Sequence, residues 1–275
     1  MRILVTGAGG QLGRELVAIL REDDVHAFDH RTLDITEEAA VLATVRQIRP
    51  EWIINAAAFN DVDGAETAEP AAFMANAQGP ANLAGAAAGI DAALIHVSTD
   101  YVFDGRKGKP YTEDDRPNPI SVYGRSKYEG ERRVLESKGR TCVLRTAWLY
   151  GKYGRNFVKA IRDAASTGRP LKVVADQVGS PTAVADFAEA IARLIRTPAR
   201  GLFHVVNDGA CSRYEFAKAI VRGAVQVTPI SSAEAGRPAP RPENSSLISL
   251  RWPAVGIPPL RSWQAALNAF LDSPM

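Results

Sequence analysis

The sequence has few cysteines, little net charge and no long apolar run, and each of these absences excludes a class of protein. Cys142 and Cys211 are the only cysteines, and neither lies in a CxxC motif or close to a histidine. A disulfide framework or a structural metal site is therefore not expected, and we predict two buried free thiols and no metal. The net charge of +2 gives no basis for nucleic-acid binding.

The chain also lacks the segments that direct a protein into or across a membrane. The first predicted strand begins at Arg2, which leaves no room for a signal peptide before it. Apolar runs stay well below the roughly 18 residues that a membrane-spanning helix needs. We expect a soluble, cytoplasmic protein with neither a membrane nor a nucleic acid as partner.

The first half of the sequence shows a regular alternation of short apolar runs and helical stretches. Strands are predicted at 2–6, 25–28, 52–58, 92–98 and 141–150, and helices at 11–21, 36–48, 65–88 and 120–137. Strands that are apolar throughout and separated by helices are typical of a parallel sheet covered on both faces. Such sheets bind ligands beyond the carboxyl ends of their strands, so residues there are the first candidates for a site.

A glycine-rich loop, TGAGGQLG, follows the first strand at residues 6–13. Gly7, Gly10 and Gly13 have the spacing GxxGxxG, and glycine at such positions permits a tight turn and close approach of the backbone to a pyrophosphate. The helix that starts behind the loop offers free N–H groups to the phosphates. The loop therefore predicts a dinucleotide-binding site.

The second predicted strand ends in FDHR, which gives conflicting signals about the dinucleotide. Asp29 at this position suits the adenosine ribose of NAD, whereas His30 and Arg31 suit the 2′-phosphate of NADP. Asp34 and Ile35 are candidates for flanking the adenine, although the start of a helix explains that stretch equally well. The sequence leaves the choice between the two cofactors open.

The second half of the chain alternates less regularly. Helices are predicted at about 155–167, 183–196 and 260–271, strands at 171–175 and 202–206, and a proline-rich irregular stretch at 229–246. We expect residues 1–146 to form the dinucleotide-binding domain, to which 183–206 returns. Residues 147–275 are expected to form mainly a smaller, C-terminal substrate-binding lobe.

Hydroxyl and acidic side chains follow the fourth predicted strand, in the sequence STDYVFDG at 98–105. Apolar strands more often end in glycine, proline or asparagine where only a turn is needed. Thr99 and Asp100 either form an ordinary Asx or Ser/Thr turn or contribute polar groups to a site at this edge of the sheet.

Tyr123 and Lys127, in VYGRSKYEGE, lie four residues apart and hence on one face of a helix. A phenol with a pKa near ~10 exchanges protons poorly at neutral pH, and a neighbouring ammonium stabilises its phenolate. The pair is therefore a candidate acid–base site, although a YxxxK spacing is common enough to occur by chance.

Tyr214 and Lys218 have the same spacing in SRYEFAK. Here Ser212 and Glu215 form an SxxE capping box, which places Tyr214 in the first turn of an ordinary amphipathic helix. We interpret this second pair as structural.

The glycine loop, the hydroxyl-ended strand and the YxxxK pair occur in this order in the extended short-chain dehydrogenase/reductases, which this chain resembles. Within that family it is similar to the dTDP-4-dehydrorhamnose reductases in several stretches, among them NAAAFNDVDGAE at 55–66, LRTAWLYG at 144–151, DQVGSPT at 176–182 and RPENSSL at 241–247. The resemblance implies a doubly wound α/β fold of the Rossmann type and reduction of the 4-keto group of a dTDP-4-keto-6-deoxyhexose. It further implies NADPH as cofactor, with NADH as the alternative, a dTDP-sugar as substrate, and a monomer or homodimer.

The same resemblance implies a role for each matching residue. Thr99 would polarise the keto oxygen, Tyr123 would protonate it as hydride arrives at C4, and Lys127 would lower the pKa of the tyrosine and orient the cofactor. Cofactor contacts are implied, besides Tyr123 and Lys127, for Gly7, Gly10, Gln11, Leu12, Asp29, Arg31, Asp34, Ile35, Ala56, Ala57 and Ala58. Substrate contacts are implied, besides Thr99 and Tyr123, for Asp100, Tyr101, Trp148, Asn156, Arg241 and Asn244; a core position for Trp148 and a surface position for Arg241 are the alternatives.

Three other functions stay open. A sugar-nucleotide 4,6-dehydratase shares the fold, the triad and the cofactor, but it needs an Asp-Glu pair after the catalytic threonine, where this sequence has Asp100 and Tyr101. A 4-epimerase needs only the triad, so the stretches quoted above are the evidence against it. A non-catalytic subunit resembling the regulatory subunit of methionine adenosyltransferase is disfavoured by the intact Thr99, Tyr123 and Lys127.

Overall fold

A computed structural model of the protein, which describes residues 1–273, contains a central sheet of six parallel strands. Numbered along the chain, the strands are β1 Arg2–Thr6, β2 Asp24–Phe28, β3 Trp52–Asn55, β4 Ala93–Thr99, β5 Arg140–Thr146, β6 Leu149–Tyr150, β7 Leu171–Val174, β8 Val178–Gly179, β9 Thr182–Ala183, β10 Gly201–His204, β11 Cys211–Ser212 and β12 Val227–Ile230. The central sheet has the order β10-β5-β4-β3-β1-β2. This is the doubly wound α/β fold that the sequence predicts.

Helices connect the strands of this sheet and cover it. The α-helices of the described residues, in chain order, are α1 Gln11–Ile19, α2 Glu38–Ile48, α3 Val62–Ala65, α4 Glu69–Phe73, α5 Gly79–Ala88, α6 Val122–Leu135, α7 Phe157–Ala165, α8 Val184–Leu194, α9 Arg213–Val221, α10 Ser232–Ala235 and α11 Trp263–Asp272. Short 3-10 turns cover Asp100–Val102 and Trp252–Val255.

Both faces of the sheet are buried at its central strands, because these strands are mainly apolar. Ile3 and Val5 of β1 pack into one core together with side chains of α1 and α8. Leu4, between them, packs into the opposite core with side chains of α2 and α5. This alternation follows from the two-residue period of a strand. Polar side chains with a function are thereby left to the strand ends.

The edge strand β10 comes from the second half of the chain. It pairs in parallel with β5, placing Leu202 opposite Val143. The preceding helix α8 packs on α1, on the face of the sheet opposite α2. Both elements therefore extend the packing that residues 2–146 begin.

A second apolar core lies in the C-terminal part of the chain. Tyr150, Phe216 and Trp263 are buried in it, together with side chains of α7, α9 and α11. Three two-stranded sheets surround this core, formed by β7 with β12, β6 with β9 and β8 with β11. Since two residues separate the end of β5 from the start of β6, this smaller unit is attached directly at the carboxyl edge of the central sheet.

The third strand is shorter than predicted and ends at Asn55, not at Ala58. The side-chain oxygen of Asn55 accepts hydrogen bonds from the Thr6 hydroxyl at 2.7 Å and from the Ala57 N–H at 3.1 Å. These bonds turn the chain out of the sheet. Ala56 to Ala58 consequently lie in the loop beyond the strand.

The fifth strand ends at Thr146, not at Tyr150. The reason lies at Trp148, whose φ of 47° is in the left-handed region and breaks the extended chain. Leu149–Tyr150 forms a separate strand instead.

Two other segments differ in secondary structure from the prediction. The predicted helix at 65–88 is divided into parts of α3, α4 and α5 with a π-helical turn at Met74–Gln78, since prolines near the starts of α4 and α5 lack the N–H that a continuous helix needs. The stretch 229–246, predicted as irregular, includes α10 and the end of β12.

Both cysteine thiols are buried and free, as predicted for Cys142 and Cys211. Among residues 1–273, no helix is long and apolar enough to cross a membrane.

Arg145 of β5 and Glu131 of α6 form a buried ion pair. Two hydrogen bonds of 2.9 and 2.7 Å join the guanidinium to the carboxylate, and both side chains are at most 2% exposed. Because a buried charge without a partner is costly, this pair fixes α6 against the sheet. That position matters because α6 carries Tyr123 and Lys127.

We expect Glu131→Ala to lower the free energy of unfolding by about 3–5 kcal/mol, since it leaves the buried Arg145 charge unpaired. Urea unfolding followed by circular dichroism measures the change. The matched control is Glu189→Ala, which removes one partner of an exposed pair with Arg193 and should cost about 0.5 kcal/mol or less. Equal effects of the two substitutions would contradict the structural role of the buried pair.

Candidate active site

A cleft runs along the carboxyl edge of the central sheet. One part, of about 440 Å³, is lined by the glycine loop and the residues after β2. The other, of about 450 Å³, is lined by the end of β4, the start of α6 and the loop after β5. Gly10, Asn60 and Ala56 to Ala58 line both parts, so the two are continuous. The cleft lies where ligands of doubly wound sheets bind.

The glycine loop packs directly against the loop after β3. Gly7 has a φ of 68°, and a Cβ atom there would lie 2.5 Å from the backbone nitrogen of Ala57. Both the conformation and the contact require glycine. Gly10 then caps α1 without a side-chain hydrogen bond. The N–H groups of the first turn are left for a ligand, as a pyrophosphate site requires.

All residues for which the sequence implied a cofactor contact line the cleft. They are Gly7, Gly10, Gln11, Leu12, Asp29, Arg31, Asp34, Ile35, Ala56, Ala57, Ala58, Tyr123 and Lys127. Three buried polar atoms of the same cleft, on Gln11, Ser98 and Thr146, have no hydrogen-bond partner among residues 1–273. Buried polar atoms normally have partners, so these atoms fit a polar ligand such as a dinucleotide.

The carboxylate of Asp29 is already occupied. Its Oδ1 accepts hydrogen bonds from the backbone N–H groups of Arg31 and Thr32, and its Oδ2 lies 3.2 Å from the guanidinium of Arg31. The Arg31 side chain itself is 88% exposed at the mouth of the cleft. An acid that closes its own turn has less capacity for a ribose. The exposed Arg31 pairs with this acid through one nitrogen and has further N–H groups for an additional anion.

Thr99 is the last residue of β4 and is buried. Its hydroxyl donates to Oδ1 of Asp100 at 3.0 Å and accepts from the backbone N–H of Tyr101 at 3.2 Å. The turn that these bonds form is the Ser/Thr turn that the sequence left as an alternative, yet Thr99 and Asp100 also line the cleft. The start of STDYVFDG therefore forms a turn and also lines the cleft.

Tyr123 lies in the first turn of α6 and is 9% exposed. Burial raises the pKa of its phenol; a hydrogen bond with Thr99 opposes this, and the charge of Asp100 adds to it. This differs from the expectation that Lys127 lowers the pKa of the tyrosine, because the loss of hydration outweighs attraction by other groups.

Lys127 lies one helical turn after Tyr123 and is 2% exposed. Its ammonium donates to the carbonyl oxygen of Val97 at 2.7 Å. Burial lowers the pKa of Lys127 to about 8, and the carboxylate of Glu131 opposes this shift. The lysine therefore titrates close to neutrality.

Asp100 lies beneath Thr99 and is 2% exposed. One carboxyl oxygen faces Thr99 and the other accepts from the hydroxyl of Ser245, which is also buried. Burial raises the pKa of Asp100 to about 6, against the effects of the Ser245 and Thr99 hydrogen bonds and the Arg213 charge.

The residues implied in substrate binding divide into two groups. Thr99, Asp100, Tyr123 and Trp148 line the cleft. Tyr101 lies behind it, with its ring edge-to-face against Tyr123 at 5.8 Å.

Asn156, Arg241 and Asn244 are engaged elsewhere in the described part of the chain. Asn156 caps α7 and also donates to the carbonyl of Gly151. Arg241 forms a bidentate pair with Asp63, and Asn244 closes a turn with Ser246. These partners give each side chain a structural reason for its position.

Arg213 is a residue of this region that sequence reasoning missed. It begins α9, its guanidinium lies 3.6 Å from the centre of the Trp148 ring, and its side chain hydrogen-bonds Tyr101. A positive residue in the first turn of a helix opposes the helix dipole, which is a signal that the sequence did contain.

Contacts with Arg213 and Gly179 hold Trp148 in its position. Its ring packs against Gly179 so closely that a Cβ atom there would lie 2.4 Å from it. The stacked Arg213 covers the ring, and Ala147 and Leu149 on either side line the cleft. Trp148 is therefore a wall of the cleft that is held in a strained backbone conformation.

The second YxxxK pair is structural, as predicted. Ser212 and Glu215 form the capping box at the start of α9. Lys218 lies 5.4 Å from the Tyr214 ring in the helix itself.

Comparison with known proteins gives full-length matches. A family profile described as RmlD substrate binding domain matches residues 1–274. A dTDP-4-dehydrorhamnose reductase of Mycobacterium tuberculosis is 45% identical, over 99% of this chain and 93% of its own. A probable dTDP-4,6-dihydroxy-2-methyloxan-3-one 4-ketoreductase of Streptomyces antibioticus is 44% identical, over 99% and 95%. The crystal structure of a Bacillus anthracis dTDP-4-dehydrorhamnose reductase in complex with NADP has a TM-score of 0.95, with 43% identity and 98% coverage of both chains.

We expect Gly7→Ala to weaken NADPH binding by about tenfold or more, since a strained φ and a backbone clash together exceed the 1.4 kcal/mol that this factor represents. Quenching of intrinsic fluorescence on titration with NADPH measures the dissociation constant. Gly85→Ala is the control, because that position is an exposed helix site with open space around it. Unchanged affinity in Gly7→Ala would show that the loop does not hold the cofactor.

Proposed function

The chain belongs to the RmlD substrate binding domain family, and we propose that it reduces the 4-keto group of dTDP-4-dehydrorhamnose to give dTDP-L-rhamnose, with NADPH as reductant. One observation carries this proposal: Thr99, Tyr123 and Lys127 meet in a buried cluster on the cleft that also collects all predicted cofactor residues. The names of the relatives above suggest the substrate, and the Bacillus anthracis structure with NADP suggests the cofactor, for that arrangement.

Bound NADPH supplies the hydride and leaves a positive charge on the nicotinamide. The protein supplies the proton and holds the ketone. Thr99 and Tyr123 direct their hydroxyls at the keto oxygen, and Tyr123 gives up its proton to the oxygen as negative charge develops there. Lys127 contributes a positive charge one helical turn away and holds its position through the Val97 carbonyl.

The raised pKa of Tyr123 suits the reductive direction. A reductase must start its cycle with the phenol protonated, and burial, which raises the pKa of Tyr123, favours that form. The proton becomes transferable only when the alkoxide forms beside it. Burial thus keeps the proton on Tyr123 before the reaction, and the developing alkoxide then takes it.

The charge distribution favours reduction over dehydration. The carboxyl group that lines the substrate part of the cleft among residues 1–273 is that of Asp100. The next residue, where a dehydratase carries glutamate, is Tyr101, and its hydroxyl interacts with Arg213 and Arg241. An elimination would need a second acid–base group at this position.

Positive charge near Trp148 supports an anionic substrate. Arg213 stacks on the ring of Trp148, which lines the cleft. Arg241 is paired with Asp63 and also acts on the Tyr101 hydroxyl. The guanidinium of Arg213, stacked on a side chain of the cleft, suits a sugar diphosphate. For Asn156 and Asn244 a contact with substrate stays a prediction.

Other expectations from the sequence stay with this proposal. They are a monomeric or homodimeric state, a cytoplasmic location, and the division into a dinucleotide-binding domain at 1–146 and a smaller lobe at 147–275. A 4-epimerase or a regulatory subunit remains the alternative to be tested against reduction.

Tyr123→Phe should lower turnover by about 100- to 10 000-fold, because the proton donor is lost while the ring stays in place. The measurement is the decrease in NADPH absorbance with dTDP-4-dehydrorhamnose as substrate. Tyr214→Phe is the matched control, since it removes the hydroxyl of the structural YxxxK pair, and it should leave turnover unchanged.

Each alternative has its own result in this assay. Absence of NADPH oxidation by folded wild-type protein would exclude the reductase. Isomerisation of a sugar nucleotide without net loss of NADPH would indicate an epimerase. A Tyr123→Phe variant that keeps most of the rate would show that the proton comes from another group.

Arg31→Ala should raise the KM for NADPH about tenfold or more and leave the KM for NADH unchanged, because the lost charge-assisted hydrogen bond reaches only a 2′-phosphate. Steady-state kinetics with both cofactors measures the ratio. Arg46→Ala removes an exposed arginine of α2 and controls for the change in net charge. Equal changes for both cofactors would assign the preference to other residues.

A further inference from the structure

The hydrogen bonds around Asp100 limit what the Thr99 hydroxyl can do. Thr99 has one hydroxyl proton and two lone pairs. One lone pair accepts the backbone N–H of Tyr101 at 3.2 Å. The carboxyl oxygen of Asp100 lies 3.0 Å away on another side. The phenol of Tyr123 also hydrogen-bonds Thr99, at the side that faces the cleft. What remains for a ketone that replaces this contact therefore depends on which partner of the Thr99–Asp100 bond supplies the proton.

An ionised Asp100 takes the only proton that Thr99 has, because a carboxylate can only accept. A lone pair is then all that Thr99 can direct into the cleft. A ketone oxygen is an acceptor as well, so this state gives the substrate no hydrogen bond from Thr99. Of the triad, Tyr123 alone would polarise the carbonyl.

A protonated Asp100 reverses the direction of that bond. Ser245 occupies Oδ2, which leaves Oδ1 as the place for the acidic proton. Oδ1 then donates to Thr99, both lone pairs of the threonine are filled, and its own proton faces the cleft. In this state Thr99 and Tyr123 both donate to the ketone oxygen.

The surroundings of Asp100 shift it toward its neutral form. The titratable and charged groups that act on it are Tyr101, Tyr123 of α6 and Arg213 of α9. Burial raises the pKa of Asp100 to about 6, while Arg213 lowers it. An anionic substrate beside Arg213 offsets the effect of that arginine, so the pKa rises further when the substrate binds.

Building on the proposed function, we propose that Asp100 is a positioning residue that acts through Thr99, and that its protonated form is the one competent for reduction. Conversion of the ionised into the protonated state takes up one proton from solvent, which binds at Oδ1, while the Thr99 hydroxyl turns to the cleft and keeps its own proton; the reduction itself neither consumes nor releases that acidic proton. The role requires a carboxylic acid or another donor at this position, held by Ser245 in a buried site.

The test is the pH dependence of turnover at saturating NADPH and dTDP-4-dehydrorhamnose, for wild type, Asp100→Asn and Ser245→Ala. Wild-type turnover should fall by about tenfold per pH unit above the pKa of Asp100. An amide donates to Thr99 at every pH, so Asp100→Asn should lose this decrease and exceed the wild type at pH 8. Ser245→Ala removes a hydrogen bond that lowers the pKa of Asp100, so its decrease should move to higher pH.

Opposite results would overturn the proposal. Turnover that rises with pH in wild type and is lost at every pH in Asp100→Asn would show that the carboxylate is the active form. The same decrease in wild type and both variants would assign it to another group, such as Lys127. Thermal unfolding of each variant confirms that it is folded at the assay pH. If wild type itself oxidises no NADPH with this substrate, the proposed function fails first, and that result is distinct from either of these.

Discussion

Burial of both faces of the parallel sheet is the constraint on which the rest of this structure depends. Strands that are apolar on both sides leave their polar residues at their ends, and parallel strands bring those ends to one edge. One cleft is therefore lined by the glycine loop, by the alanines after β3, by Thr99 at the end of β4 and by Trp148 after β5. The buried pair of Arg145 and Glu131 then fixes α6 over the same edge.

The same burial adjusts the chemistry of the side chains in the cleft. Loss of hydration raises the pKa of Tyr123 and Asp100 and lowers that of Lys127, so all three move toward their neutral forms. Lys127, whose pKa is about 8, nevertheless keeps most of its positive charge at neutral pH, whereas the phenol of Tyr123 stays neutral.

Local patterns in the sequence predicted much of the fold and of the site. The alternation of apolar strands and helices and the spacing of Gly7, Gly10 and Gly13 depend on near neighbours, and these features are where they were expected. The strand ends were less predictable. Trp148 leaves the strand because Arg213, more than sixty residues later, stacks on its ring. Arg213 itself was overlooked because its partners, Tyr101 and Trp148, are distant in sequence.

The stacking of Arg213 on Trp148 has a consequence for how the protein can diverge. The residues proposed to transfer the proton stand on β4 and α6, which belong to and pack on the central sheet, whereas Arg213 stands on α9, which packs in the C-terminal core. The proposed chemistry and the proposed charge recognition thus belong to separately packed units that meet at the ring of Trp148. Under the proposed function, exchange of residues in the C-terminal core is expected to alter which sugar nucleotide is accepted while the hydride and proton steps stay intact.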